Sequence, residues 1–180
     1  MLNIIFSKPY NEVREQCHLL KTGETKGIED YLQEIENSLP VKAVLVPMPQ
    51  SSGRAEYTLS LASRIALYVN ALHNDKTVIV LNCLNGKIRD SVCGRKTIGM
   101  PFDDIEFGFA YMDGMKARVA KFREEGWKII LVDNVVDTGT TARHALEALG
   151  GSDQSDFGLI TLGDTNAWRH FEPVATPPSK

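Results

Sequence analysis

The sequence predicts an α/β fold, a mainly parallel sheet flanked by helices, and three observations carry that prediction. Short apolar runs recur at 43–46 (AVLV), 78–81 (VIVL), 129–132 (IILV) and 157–162 (FGLITL), with the length and continuity of strands buried on both faces. Between them lie stretches whose apolar residues repeat at helical spacing. Strands that alternate with helices need crossover connections, and these join parallel neighbours.

The 180 residues suit one domain, 1–180, with its core over about 42–162. Residues 2–6 are a short apolar run that reads as an edge strand, while 7–25 are polar and lack a clear period. Ile28, Tyr31, Leu32, Ile35 and Leu39 mark an amphipathic helix, ended by Pro40. After the 43–46 strand comes a polar loop, PMPQSSGR, then a helix expected from about 55 to 72. Its inward positions are Leu59, Ala62, Ala66 and Val69. Met48–Pro49 is an X-Pro bond, the one kind for which the cis form is accessible.

Strand 78–81 leads into 82–109, the longest stretch without a period, which carries Lys87, Arg89, Arg95 and Lys96 among several glycines. Such segments are functional or mobile, and a solvated basic hairpin is the plainer alternative. Met115, Val119 and Phe122 mark the next helix, with Asp113 as its N-cap and Gly126 as its stop. The last strand ends in GDTNAWRHF, and the proline-containing tail, 173–180, is expected to be disordered.

The most informative stretch is 128–149, KIILVDNVVDTGTTARHALEAL. Asp133 stands where the apolar strand should end, and the small hydroxylated turn Asp137-Thr138-Gly139-Thr140-Thr141 follows. Ala142, Ala145, Leu146 and Leu149 then repeat at helical spacing before Gly150. The first amides of a helix lack internal partners and sit at the positive end of its dipole, so this turn suits a phosphate. The upstream acid suits hydroxyls or a metal. A sugar phosphate satisfies both.

Residues 129–141 resemble the phosphoribosyl-pyrophosphate (PRPP) motif of the type I phosphoribosyltransferases, with Asp133 on the first acidic position and Asn134 where a second acid is usual. Asp137-Thr138-Gly139 looks like the 6-oxopurine branch, and Val-Pro-Met-Pro followed by a Gly-Arg loop looks like ComF-type competence proteins. The resemblance implies the type I phosphoribosyltransferase (Rossmann-like) fold with a small hood, built from 1–40 and 163–172. It implies transfer of the phosphoribosyl group from PRPP to a nitrogen nucleophile such as a purine-type base, with release of pyrophosphate.

On that resemblance Asp133, Asn134, Asp137, Thr138, Gly139, Thr140 and Thr141 bind PRPP. Gln50, Ser51, Ser52, Gly53 and Arg54 bind pyrophosphate, and Arg95 and Lys96 approach it from a flexible loop over 82–109. Asp137 either accepts a proton from the base or fixes its own loop through an Asx-type bond. Trp168 or Phe171 either stacks on a planar base or covers the core or an oligomer partner. Mg²⁺ is the implied cofactor, held through PRPP, with Asp133 the protein group expected nearest it. A homodimer is common in the family, and the acceptor stays unnamed. The other class of function is a non-catalytic PRPP- or nucleotide-binding regulatory protein of the ComF type, which Asn134 favours.

Several classes are excluded or disfavoured. A net charge of −3 argues against broad nucleic-acid binding. Cys17, Cys83 and Cys93 are few, odd in number and without metal spacing, which suggests reduced thiols in a cytoplasmic protein. No signal-peptide pattern and no membrane-length apolar run is present. His18, His73, His144 and His170 are not at metal-ligand spacing, and there is no GxSxG elbow.

Overall fold

Each apolar run becomes a strand because alternate residues find apolar partners on opposite sides. In β2 (Lys42–Pro47), Ala43 and Leu45 enter one core cluster and Val44 and Val46 the other. The same split separates Ile130 and Val132 from Ile129 and Leu131 in β6 (Lys128–Val136). The computed structural model describes residues 2–151 and 157–166.

Five parallel strands form the main sheet in the order β1-β7-β6-β2-β3, with β1 (Ile4–Pro9), β3 (Thr77–Val80) and β7 (Phe157–Asp164) completing it. Helices α1 (Tyr10–Lys21), α2 (Glu29–Ser38) and α3 (Tyr57–Leu72) contribute to the cluster on one face. Residues of α5 (Met115–Glu124) and α6 (Thr140–Ala148) enter the cluster on the other. The result is a three-layer α/β domain. No helix among the described residues is long and apolar enough to cross a membrane.

The 82–109 stretch is not one irregular loop. It leaves through β4 (Leu84–Asn85), makes the short α4 (Val92–Thr97) and returns through β5 (Ala110–Tyr111), antiparallel to β4. Gly150, with φ 74°, stops α6 as expected, and the Gly151 N–H closes the turn on Leu146 O at 2.9 Å.

Other expectations need correction. Asp133 does not end its strand: β6 continues to Val136 because Val135 and Val136 pair with Gly163 and Asp164, which lengthen β7 as well. Asp113 does not cap α5; Gly114, with φ 74°, holds that position without a side-chain bond. Nor do residues 1–40 form a separate hood. β1 is an edge strand of the main sheet, and Val13, Cys17 and Leu20 of α1 and Leu32 and Ile35 of α2 are buried in the core. The end of β1, at Lys8 and Pro9, and the start of α1 that follows it lie at the carboxyl edge, beside Gly163 and Asp164. A Cβ on Gly163 would meet Tyr10, Val13 and Cys17 at 3.0–3.3 Å, so this glycine lets α1 lie close on the end of β7. Met48–Pro49 is trans. Of the proposed C-terminal hood, Gly163 and Asp164 belong to β7, and Trp168, Phe171 and the 173–180 tail lie outside the described residues.

Candidate functional site

Chain order reverses between β2 and β6: from β2 the sheet grows outward to β3, then resumes on the other side with β6 and β7. The segments leaving β2 and β6 therefore turn to opposite faces, into α3 and α6. A crevice at the carboxyl ends of such neighbours is where open α/β sheets bind ligands. A cleft of about 250 Å³ opens there, lined by Gln50 and Ser51 on one side and Asp133 through Ala142 on the other.

The α6 turn is a glycine-containing turn between β6 and α6. Gly139, with φ 76°, is the N-cap and supplies no side chain, and the Thr140 N–H makes one long hydrogen bond, to the Thr138 hydroxyl at 3.4 Å. Thr138 and Thr140 share a hydroxyl hydrogen bond of 2.8 Å, and Arg143 fixes the turn by donating to Thr138 O at 2.8 Å. Thr138, Gly139, Thr140 and Thr141 all line the cleft.

Asp133 and Asn134 point apart, as neighbours in a strand must. Asp133 faces the cleft and accepts the Asn134 N–H at 2.7 Å. Burial pushes its carboxyl up from 3.8 to about 6, against the opposing pull of that N–H and of Arg89 and Lys21. Asn134 is buried and turns its amide to α1, donating to Cys17 O at 2.9 Å, while its Oδ1 has no partner. The side chain expected to assist Asp133 instead ties α1 to β6.

Among the residues expected at the β2–α3 loop, Gln50 and Ser51 line the cleft, whereas Ser52 and Arg54 are exposed and do not. With its carboxamide oxygen turned to the helix, Gln50 accepts from the N–H groups of Glu56 and Tyr57 at 3.0 and 2.9 Å and so caps α3. Gly53, with φ 79°, is a docking point: its carbonyl accepts the Gly86 N–H at 2.9 Å, and any Cβ on it would collide with Gly86 O.

Arg89 completes this junction. Its backbone N–H binds Ser51 O at 2.9 Å, and its guanidinium donates to Gln50 O at 2.5 Å and Pro49 O at 3.3 Å. The guanidinium also lies over the Phe107 and Phe109 rings at 4.7 and 5.0 Å. The β2–α3 loop and the base of the excursion are thus one wall.

Beyond Arg89 the excursion is held mainly to itself. Arg95 binds Asp90 at 3.1 Å, Pro101 O at 3.1 Å and Asp104 at 2.5 Å, so it closes the 90–104 unit and does not line the cleft. Lys96 does cross: it pairs with Asp137, whose other oxygen accepts the Thr165 hydroxyl at 2.6 Å. Exposed pairs of this kind stabilise by about 1 kcal/mol or less. Lys96→Ala should therefore move Tm by no more than about 4 °C, yet raise amide exchange across 90–104 several-fold. Unchanged exchange would mean that other contacts hold the unit down.

The structure brings together Asp133, Asn134, Asp137, Thr138, Gly139, Thr140, Thr141, Gln50, Ser51 and Lys96, with the Asn134 amide turned to Cys17, and leaves Ser52, Gly53, Arg54 and Arg95 out of the cleft lining. Trp168 lies outside the described residues. Sequence reasoning missed Arg89, Tyr57, Thr165 and, from α1, Tyr10 and Lys21, all of which line the cleft. A helical spacing of Val13, Cys17 and Leu20 was the available signal for α1. No family model, curated protein or solved structure matches this chain.

Proposed function

We propose that this chain is a phosphoribosyltransferase, which moves the 5-phosphoribosyl group of PRPP to a nitrogen acceptor and releases pyrophosphate. One observation carries the reading: a cleft-lining carboxylate, Asp133, and a glycine-capped Thr-Gly-Thr-Thr helix start share one crevice at the reversal of strand order. An acid and a hydroxylated helix start in one cleft suit a phosphorylated sugar, with its diol on Asp133 and its 5′-phosphate on the amides and hydroxyls of Thr138 to Thr141.

In that reaction the acceptor nitrogen attacks carbon 1, the bond from carbon 1 to pyrophosphate oxygen breaks, and the nitrogen gives up a proton. Ser51 and the wall fixed by Arg89 would flank the leaving group. Asp137 would take the proton, which requires Lys96 to release it first. Among the described residues no three His, Cys, Asp or Glu side chains converge as a metal cage, whereas a lone acid suits Mg²⁺ carried by a substrate's phosphates. Asp133 would touch that ion, which when bound neutralises charge on the leaving group.

A second reading, a non-catalytic PRPP- or nucleotide-binding regulator of the ComF type, is favoured by two observations. Asn134 is spent on α1, leaving Asp133 alone, and Asp137 is already held by Lys96 and Thr165. Pyrophosphate release from Mg²⁺–PRPP across a panel of nucleobases and ammonia separates the two. The transferase reading predicts turnover with at least one acceptor, lowered roughly 100-fold or more by Asp137→Asn. Binding of PRPP with no turnover on any acceptor would favour the regulator.

A further inference from the structure

Beyond the β2–β6 ladder the two walls of the cleft diverge, one into α3 and the other into α6, on opposite faces of the sheet. A column of side chains rejoins them. Its first member is the Arg89 guanidinium, which donates to Gln50 O at 2.5 Å and lies 4.7 Å over the Phe107 ring. Phe107 is buried, and the Lys87 N–H donates to its carbonyl at 2.9 Å. Its ring stacks on His144 of α6, with centroids 4.6 Å apart and planes 24° from parallel. His144 has Glu147 at 3.3 Å, and its neighbour Arg143 donates to Thr138 O at 2.8 Å. Guanidinium, phenyl and imidazole thus run from the carbonyl of Gln50 to the helix that carries the α6 turn. A second bridge, Lys96 to Asp137, is more exposed and has to open if Asp137 is to take a proton.

We propose that this column is a strut, and that Phe107 and His144 are positioning residues which fix the span between the β2–α3 loop and the α6 turn. The inference rests on the transferase reading and deepens it. PRPP carries an anionic group at each end, a 5′-phosphate and a pyrophosphate, and in that reading each meets a different wall. A ligand that touches two sites gains from the second contact only if the sites are held at the matching distance. A ligand that touches one site gains nothing from that distance. His144 is about half exposed and does not line the cleft, so its effect on a ligand runs through Phe107.

The test compares wild type with His144→Ala, which ends the column at Phe107, and His144→Phe, which restores a ring to it. Alanine is a good helix former, so α6 itself is not weakened. Calorimetry reads three ligands with Mg²⁺ present: PRPP, ribose 5-phosphate and pyrophosphate. His144→Ala should weaken PRPP binding roughly fivefold or more, while each half-ligand stays within about twofold. His144→Phe should recover most of the loss. Amide exchange is read on the same proteins without ligand. Gln50 and Gly53, whose N–H groups are bonded within the β2–α3 loop, should exchange several-fold faster in His144→Ala, although they belong to the opposite wall. A smaller PRPP loss, an equal loss for either half-ligand, or no recovery in His144→Phe overturns the strut. So does a rise in exchange confined to α6. Failure of the wild type to bind PRPP at all would instead remove the transferase reading, and the exchange result would then decide the strut on its own as a feature of the fold.

Discussion

Replacing Gly53 by alanine is expected to cost about 3 kcal/mol or more. Part is backbone strain, since a non-glycine residue in the left-handed region loses roughly 1–2 kcal/mol, and Gly53 has φ 79°. The rest is steric. The new methyl would meet the carbonyl of Gly86, a backbone atom whose movement would also break the Gly86 to Gly53 hydrogen bond. For a domain of this size Tm should fall by roughly 6–12 °C. Gly126 is the control, because it has the same φ of 79° but open space around its Cβ position. Gly126→Ala should show the strain alone, about 1 kcal/mol. Equal losses for the two variants would mean that the two loops are not docked. A true docking point also predicts that Gly53→Ala increases amide exchange at 49–54 and 84–89 together.

The second large effect concerns Asp133, and its sign depends on pH. Folding raises this carboxyl from 3.8 to about 6, so the folded state holds the proton more tightly than the unfolded chain. The associated stability is fully present below pH 4 and is lost as pH rises through 6. Above that, the ionised buried acid destabilises the fold by up to about 3 kcal/mol, because each tenfold gain in proton affinity on folding corresponds to about 1.4 kcal/mol. Asp133→Asn, which still accepts the Asn134 N–H through its carbonyl oxygen, should match wild type at pH 4 and exceed it by about 1–3 kcal/mol at pH 8. Chemical denaturation at the two pH values reads this directly. Equal stability at pH 8, or a variant less stable there, would contradict an acid held at a thermodynamic cost. A site carboxylate that weakens its own fold is expected where a ligand supplies what solvent no longer can.

Much of the frame was legible because the relevant signals are local. Ile129 to Val132 announce a buried strand by continuity, and Ala142, Ala145, Leu146 and Leu149 announce a helix by period; all eight are buried. The α6 turn was readable for the same reason, since a Gly-containing turn between strand and helix fixes its own amides. Helix α1 was hard to read, because only Val13, Cys17 and Leu20 carry its buried face and most of its other positions are polar. The continuation of β6 past Asp133 is decided by Gly163 and Asp164 across the ladder, beyond the reach of local pattern.

The site divides in the same way. Asp133 and the threonines were found from the chain itself. Arg89 looked like one loop cation among several, and only the carbonyls of Pro49 and Gln50, about forty residues earlier, give it a role. Asn134 was read as a partner to Asp133, but strand alternation turns it to the opposite face, where Cys17 takes it. Ser52 and Arg54 belong to the right loop and miss the cleft, since the turn that docks Gly53 carries them outward.

The most direct test of a sugar-phosphate cleft is calorimetric titration of Mg²⁺–PRPP into wild type and into a Thr138→Ala, Asp133→Ala double variant. The proposed reading predicts micromolar-range binding by the wild type, at pH 7.5 where Asp133 is ionised, and its loss in the folded double variant. No heat of binding from the wild type, or equal binding by both proteins, would contradict it.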